Sequence, residues 1–115
     1  MLVIREQQAV ASRHSSQNAR VGVARQHLSV LDPDSSIRAL VINTGNANAG
    51  TGKEGMAAAR ETCNRLAQIM HCSAAQVLPF STGVIMEQLP VEKIAAGFPA
   101  CLADASENNW FAAAQ

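Results

Sequence analysis

The sequence predicts an α/β fold in which a mixed sheet packs against helices. Two apolar stretches, Ile37 to Ile42 and Val77 to Phe80, have the length and composition of buried strands. Each stretch runs into a glycine-containing loop, and each loop precedes a helical pattern, at Lys53 to His71 and at residues 90–98. Since loops that follow parallel strands leave the same edge of a sheet, the two loops are expected to lie at one site.

The N-terminal part has the weakest pattern. Residues 1–20 are rich in Gln, Ser and Arg and are predicted to be a poorly organised segment, apart from a short helix from Ile4 to Ala11. Val21 to Arg25 is short and β-branched, which predicts a strand. Asp32 to Ser36 holds a proline among small polar residues and is predicted to be a turn. The α/β unit therefore extends over residues 21–115.

One apolar stripe predicts the helix from Lys53 to His71. Apolar or small side chains recur there at spacings of three and four, and polar side chains fill the opposite face. The stripe consists of Met56, Ala59, Cys63, Leu66 and Met70. After this helix, Ser73 followed by Gln76 resembles the capping box of a short helical turn.

Two prolines delimit the helices near the C-terminus. Pro90 precedes the segment VEKIAAGF, as at the first position of a helix, where the N–H that proline lacks is not needed. Pro99 is expected to kink or end that helix. The segment from Ser106 to Gln115 is predicted to begin a further helix, anchored by Trp110 and Phe111.

Composition argues against several classes of function. Nine basic and nine acidic residues give a net charge of zero, which argues against nucleic-acid and anionic-membrane partners. No apolar run approaches the roughly 20 residues of a membrane span. Cys63, Cys72 and Cys101 form no CxxC pattern and predict reduced thiols in a cytoplasmic protein. No metal site is predicted, because the histidines do not stand at ligand spacing from cysteines or carboxylates.

The first loop, residues 43–52, consists almost entirely of small residues. Its glycines allow positive φ and a close approach of the backbone, and its asparagines offer uncharged amide donors and acceptors. These residues are Asn43, Gly45, Asn46, Asn48, Gly50 and Gly52. Two interpretations stay open, a tight turn that packs the helix on the sheet and a phosphate site at the helix N-terminus. Composition alone favours the turn.

The second loop, Ser81-Thr82-Gly83, places a hydroxyl beside a glycine N–H. The Thr82 hydroxyl and the Gly83 N–H form a compact pair of donors that suits an oxyanion developing on a carbonyl under attack. The alternative is an ordinary turn in which Thr82 hydrogen-bonds nearby backbone, and spacing alone favours that alternative.

Three segments carry distinctive motifs, namely ALVINTGNANAGTG, QVLPFSTGVIMEQLPVEKIAAGFP and ENNWFAAAQ. Their pattern, an N-[ST]-G-N-A-N-A-x-T-G loop followed by an S-T-G-V-I block, is similar to that of one family. The sequence resembles the bifunctional ornithine acetyltransferase (glutamate N-acetyltransferase) family of arginine biosynthesis. The resemblance runs from about Val23 to Gln115, and residues 1–16 show none.

The resemblance implies both a fold and an activity. It implies that the chain forms part of the N-terminal-nucleophile-like fold of these enzymes, which transfer an acetyl group from N-acetylornithine to glutamate. Some members also use acetyl-CoA as the donor, and no other cofactor is expected. The family precursor undergoes autoproteolysis, and the new N-terminal Thr of the second chain is the nucleophile. The intact enzyme is expected to be an oligomer.

The resemblance also implies the roles of the two loops. Thr82 and Gly83 correspond to the residues that form the oxyanion hole of the family. The first loop is expected to form a wall of the same site. The residues expected in this wall are Asn43, Gly45, Asn46 and Asn48.

The chain departs from the family pattern at both ends. The family's Q-A-I-M-T-T-D-T motif, with a substrate-binding Thr, and its A-T-M-L junction, with the nucleophile, would follow Gln115. At the other end Gln17-Asn18-Ala19 runs directly into Arg20, where the family has a longer stretch. The chain is therefore expected to be part of the first chain, inactive without a complementary second chain. The alternatives are a non-catalytic small-ligand or nucleotide-binding module and a vestigial product.

Overall fold

The computed structural model describes residues 19–31, 35–109 and 111, and it confirms the predicted α/β class. In chain order the elements are α1 (Ala19–Val30), β1 (Ala39–Asn43), α2 (Gly52–Met70), a 3₁₀ turn (Ala74–Gln76), β2 (Val77–Ser81), α3 (Val91–Ala96) and α4 (Phe98–Asp104). The predicted helix from Ile4 to Ala11 lies outside the described residues, as does much of the predicted turn from Asp32 to Ser36. The prediction that a helix begins at Ser106 is wrong, because residues 106–109 form a turn, and residues 110 and 112–115 lie outside the described part of the chain.

The two described strands are parallel and directly hydrogen-bonded. Their register pairs Ala39 with Val77 at one end and Asn43 with Ser81 at the other. Since β-branched and apolar residues fit a pleated surface that is buried, both stretches form strands as predicted. In β1 fully buried residues alternate with half-buried ones, and Val41 at its centre has no exposed surface.

Helix α2 packs its apolar stripe against this sheet. Ala59, Cys63 and Leu66 are fully buried, and Met56 and Met70 pack against the same core at the two ends of the stripe. Full burial of one large aliphatic side chain stabilises a fold by about 1.5–3 kcal/mol. The stripe that the sequence predicts is therefore the surface that attaches α2 to the strands.

Helix α1 replaces a predicted strand. The interpretation of Val21 to Arg25 as a strand is wrong, because these residues form the first half of a helix. Val23 and Ala24 are buried, and Leu28 packs half-buried one turn later. The His27 Nδ1–H donates to the Val77 carbonyl oxygen over 2.8 Å, which connects α1 to β2.

The connections after α2 follow the predicted local signals. The Ala75 N–H donates to the Ser73 hydroxyl and the Ser73 N–H donates to Gln76 Oε1, so the capping box is confirmed. Helix α3 ends at Ala96, and Pro99 lies in the first turn of α4. Pro99 therefore begins a second helix after the first has ended, since proline is tolerated in a first turn.

An ion-pair network connects α2 to α3. Arg65 donates to Glu61 over 2.7 Å on its own helix and to both carboxylate oxygens of Glu92, also over 2.7 Å. The hydrogen bonds from Arg65 hold the pKa of Glu92 below its ordinary value, and those to Glu92 and Glu61 raise the pKa of Arg65. Among the described residues, no helix is long and apolar enough to cross a membrane, and no cluster of side chains suits a metal ion.

Candidate active site

The two glycine-containing loops lie side by side and are hydrogen-bonded to each other. The Thr82 N–H donates to the Asn43 carbonyl oxygen over 3.2 Å, and the Val84 N–H donates to the Gly45 carbonyl oxygen over 3.1 Å. Farther from the strands, the Ala47 N–H donates to the Val84 carbonyl oxygen over 2.8 Å. The parallel pairing therefore continues into the loops, and the structure brings together the two segments that the sequence places at one edge of the sheet.

Gly83 lies directly against the backbone of the first loop. Its φ is +128°, and a Cβ at this position would overlap the Gly45 carbonyl group and lie 2.8 Å from the Asn46 nitrogen. Gly45 also has a positive φ, +93°, but a Cβ there would meet nothing within 4 Å. Glycine is thus required at position 83 by conformation and by contact, and at position 45 by conformation alone.

Thr82 and Gly83 present two hydrogen-bond donors at the exposed end of β2. Within the described part of the chain, neither the Thr82 hydroxyl nor the Gly83 N–H has a hydrogen-bond partner. The adjacent Ser81 hydroxyl, in contrast, donates to the Ala47 carbonyl oxygen over 2.6 Å. Donors that are fixed in place and unpaired can stabilise negative charge that develops on a carbonyl oxygen.

Asn48 fastens the first loop to the start of α2. It is fully buried, with a positive φ of 48°. Its Nδ2 donates to the Gly55 carbonyl oxygen over 2.9 Å, and its Oδ1 accepts from the Thr51 hydroxyl over 2.7 Å. Both ends of this amide are therefore bound inside the protein, and Asn48 supports the loop from beneath its surface.

Asn46 connects the two loops through its side chain. Its Oδ1 accepts from the Asn48 N–H over 3.0 Å, which shapes the first loop. Its Nδ2 donates to the carbonyl oxygens of Glu87 and Gln88, each over 3.2 Å, in the segment that follows the second loop. One buried amide thus holds the segment after Thr82 and Gly83 against the first loop.

Gly55 is a site residue that sequence reasoning missed. A Cβ there would overlap the Thr51 hydroxyl and lie 2.6 Å from Asn48 Oδ1. A glycine inside a helix costs about 1 kcal/mol relative to alanine, so its presence in an amphipathic helix was the available signal. The position allows the Asn48 side chain to lie flat against α2.

The N-terminus of α2 does not present a free anion site. Thr51 precedes the helix, but its side chain makes no capping bond and binds Asn48 instead. The carboxylate of Glu54 lies in the first turn and accepts from Gln88 Nε2 over 2.6 Å. A carboxylate next to the helix end repels phosphate, which argues against the phosphate interpretation of this loop.

A groove of about 490 Å³ lies between the first loop and α3. It is lined by residues 43–46 and 87–88, by Pro90, and by Lys93 and Ile94 of α3. The Asn43 Nδ2 donates to the Asn46 carbonyl oxygen over 3.0 Å. The Asn43 Oδ1 is buried and has no partner among the described residues.

Comparison with known proteins identifies a family for this arrangement. The sequence matches the ArgJ family over residues 2–115. The match begins well before Val23, so the expectation that residues 1–16 bear no resemblance is wrong.

Two solved structures are similar to the chain. The arginine biosynthesis bifunctional protein argJ from Bacillus halodurans is 32% identical over 82% of this chain, with a TM-score of 0.69. The ornithine acetyltransferase from Mycobacterium tuberculosis, solved in complex with ornithine, is 28% identical over 88% of this chain, with a TM-score of 0.72. The chain covers 48% and 53% of these two proteins, and so spans about half the length of each.

Proposed function

Because the chain belongs to the ArgJ family, we propose that it forms the oxyanion-hole part of a site that transfers acetyl from N-acetylornithine to glutamate. Family membership supports the reaction, and the relative solved with ornithine supports the substrate class. The observation that carries the proposal is the pair of unpaired donors at Thr82 and Gly83, on a loop fixed against the first loop.

In the proposed reaction, both donors act on the acetyl carbonyl oxygen. A nucleophilic hydroxyl attacks the carbonyl carbon, and the Thr82 hydroxyl and Gly83 N–H stabilise the oxyanion that forms. Ornithine leaves as its nitrogen takes up the proton that the attacking hydroxyl has given up, and an acetyl ester remains on the nucleophile. The glutamate amine then attacks the ester carbon, and the same two donors stabilise a second oxyanion. The nucleophile leaves with the proton of the amine as a free hydroxyl, and N-acetylglutamate is released. An acetyl-CoA donor would use the same two groups.

A complementary second chain supplies the nucleophile in this proposal. The hydroxyl next to Thr82 in sequence, that of Ser81, donates to the Ala47 carbonyl oxygen and is not the nucleophile in this proposal. The three residues after Gly83 are apolar and exposed, with Val84 at 53%, Ile85 at 61% and Met86 at 76%. An apolar run of this kind beside a functional loop favours contact with another polypeptide. The chain alone is then inactive, and the assembled cytoplasmic enzyme is an oligomer.

The test is acetyl transfer by the assembled pair. The 115-residue chain is co-expressed with a second chain that begins at the family's catalytic Thr, and N-acetylglutamate is measured. We expect turnover by the pair and none by this chain alone. Thr82→Ala lowers the rate by about 10²–10³, the usual loss for one oxyanion donor, while Ser106→Ala, a matched exposed hydroxyl, leaves it unchanged. Turnover by the single chain, or wild-type rates for Thr82→Ala in the pair, would contradict the proposal.

Ligand-dependent stability separates this function from the two alternatives. A ligand that binds the folded state raises the melting temperature in proportion to ln(1 + [L]/Kd). We expect N-acetylornithine to stabilise the assembled pair and ATP to have no effect. Stabilisation by ATP alone would favour a nucleotide-binding module. A folded pair that neither binds N-acetylornithine nor turns it over would favour a vestigial product.

A further inference from the structure

The second loop is attached to the first loop on both sides of the two proposed oxyanion donors. Before the donors, the Ser81 hydroxyl donates to the Ala47 carbonyl oxygen over 2.6 Å. After them, the Met86 N–H donates to the Ala49 carbonyl oxygen over 2.8 Å. The positions of the donors therefore depend on how firmly the second loop is held at these two attachments.

The segment after the donors follows an unfavourable backbone path. Met86 has a φ of +64°, a left-handed conformation that is uncommon for a residue with a side chain. The side chain is largely exposed, so its burial contributes little to holding that conformation. Such a conformation persists only where surrounding groups hold the chain in place. The return of the chain after Met86 therefore needs attachments of its own.

Asn46 supplies these attachments through its side-chain amide. Its Nδ2 donates to the carbonyl oxygens of Glu87 and Gln88, each over 3.2 Å, while its Oδ1 accepts from the Asn48 N–H over 3.0 Å. In the described part of the chain, the carbonyls of residues 87 and 88 accept from no backbone N–H. The Asn46 amide thus provides the hydrogen bonds that hold these two residues to the first loop.

The backbone of Asn46 also lies against Gly83. A Cβ at position 83 would lie 2.8 Å from the Asn46 nitrogen and still closer to the Gly45 carbonyl group. Directly beside this contact, Asn46 and Val84 form a parallel bridge. One residue therefore contacts the chain at the donors with its backbone and holds the returning chain with its side chain.

The Asn46 amide has no hydrogen left for a substrate. A primary amide carries two donor hydrogens, and two carbonyl oxygens of the protein accept from this one. The residue is also only 7% exposed. A role that acts through other residues therefore fits Asn46 better than direct contact with a reacting group.

We propose that Asn46 is a positioning residue of the oxyanion hole, an inference that rests on the proposed function of Thr82 and Gly83. By holding residues 84–88 against the first loop, it keeps the Thr82 hydroxyl and the Gly83 N–H directed at one point. Loss of the amide releases this segment, and the two donors move away from the oxyanion. A displacement of about 1 Å at a reacting group can cost about 10² in rate.

The first test is hydrogen exchange of the 115-residue chain, followed by NMR, and it needs no turnover. In the unmodified chain, the side-chain amide of Asn46 is expected to exchange at least about tenfold more slowly than that of Asn64, which is exposed on α2. In Asn46→Ala, the backbone amides of Val84 and Met86 are expected to exchange at least about tenfold faster. The increase at the Leu66 amide, which reports overall stability, is expected to be smaller.

The second test measures kcat and KM of the assembled pair. Asn46→Ala is expected to lower kcat at least about tenfold and to change KM less than about twofold, because the oxyanion forms only in the reaction. In a Thr82→Ala background the same substitution is expected to lower kcat less than about threefold, since one displaced donor is already absent. Val23→Ala, which leaves a cavity in the core beside α1, controls for lost stability and is expected to keep kcat within about twofold.

Three results would overturn the proposal. The first is equally fast exchange of the Asn46 and Asn64 side-chain amides, a comparison within the unmodified chain that applies even if Asn46→Ala does not fold. The second is unchanged exchange of the Val84 and Met86 amides in Asn46→Ala. The third is the same fold loss of kcat for Asn46→Ala with and without Thr82→Ala.

Failure of this inference differs from failure of the proposed function. A normal loss of rate in Thr82→Ala together with an unchanged kcat in Asn46→Ala contradicts the positioning role alone. An unchanged rate in Thr82→Ala contradicts the proposed function, and the positioning role in acetyl transfer is then overturned with it.

Discussion

Replacing Gly83 by alanine separates backbone strain from loop-to-loop contact. The residue has a φ of +128°, and its missing Cβ leaves room for the Gly45 carbonyl group. A methyl group there forces the two loops apart and strains the backbone at the same time. Gly45→Ala is the matched control, because it introduces a methyl group at a positive φ where nothing lies within 4 Å.

The expected loss of stability follows from two contributions. A non-glycine residue in a sparsely populated backbone region costs about 1–3 kcal/mol, and this applies to both variants. Separation of the loops also weakens the bonds from Val84 N–H to Gly45 and from Ala47 N–H to Val84. Each hydrogen bond contributes about 0.5–1.5 kcal/mol. We therefore expect about 2–6 kcal/mol for Gly83→Ala and about 1–3 kcal/mol for Gly45→Ala.

The assay is urea unfolding of both variants beside the unmodified chain, with the free energy of unfolding taken from linear extrapolation. A loss at the upper end of the range is comparable to the whole stability of a small domain, so Gly83→Ala is expected to be partly unfolded without urea. Equal free energies of unfolding for Gly83→Ala and Gly45→Ala would refute the argument that the two loops are in close contact through position 83.

Three further predictions concern α2, α3 and the cysteines. A Gly→Ala substitution inside a helix normally stabilises it by about 1 kcal/mol. Gly55→Ala is instead expected to destabilise this chain by about 1–3 kcal/mol in urea unfolding, because the new Cβ overlaps the Thr51 hydroxyl, and a gain in stability would contradict this. The pKa of Glu92 is lowered in the folded state, so its contribution to folding stability is present above its ordinary pKa and is lost as the pH falls through the folded value. Between about pH 6 and pH 3 the unmodified chain is therefore expected to lose more stability than Glu92→Gln, and parallel pH profiles of stability for the two would exclude the pairing of Glu92 with Arg65. Burial raises the pKa of the Cys72 thiol, so mass spectrometry is expected to show slow alkylation of Cys72 near neutral pH. Cys63 is fully buried and is expected to be modified only in urea, so rapid labelling of Cys63 in the folded chain would contradict its burial.

The strands and the long helix were predictable because their signals are local and strong. Ala39 to Ile42 and Val77 to Phe80 are uninterrupted apolar runs, and the α2 stripe recurs from Met56 to Met70. The capping box at Ser73 depends on two residues three positions apart. In each case residues close together in the sequence determine the element, and the tertiary packing agrees with their local structural preference.

Helix α1 was not predictable from the window that suggested a strand. Val21 to Arg25 is too short to distinguish the two periods, and its valines favour a strand locally. The helical period becomes visible only when Ala24 is taken with His27, Leu28 and Leu31, since Ala24, Leu28 and Leu31 pack in one cluster and His27 binds β2. A longer window would have included the last three residues.

The sequence predicted which loops meet but not how each residue is used there. Residue type suggests the Thr82-Gly83 pair and the asparagines as polar groups of a site, and the family resemblance supplies their expected roles. Whether Asn48 faces a ligand or the interior depends on Gly55, seven positions away, and on the path of the loop around it. Such contacts follow from three-dimensional packing, which residue spacing does not encode.

The ratio of kcat between Thr82→Ser and Thr82→Ala, measured in the assembled pair, tests the central claim most directly. Serine retains the hydroxyl donor at this position, whereas alanine removes it and leaves the Gly83 N–H in place. The proposed oxyanion hole predicts that Thr82→Ser is faster than Thr82→Ala by about 10²–10³. Equal kcat values for the two variants would show that the hydroxyl of Thr82 does not stabilise the transition state.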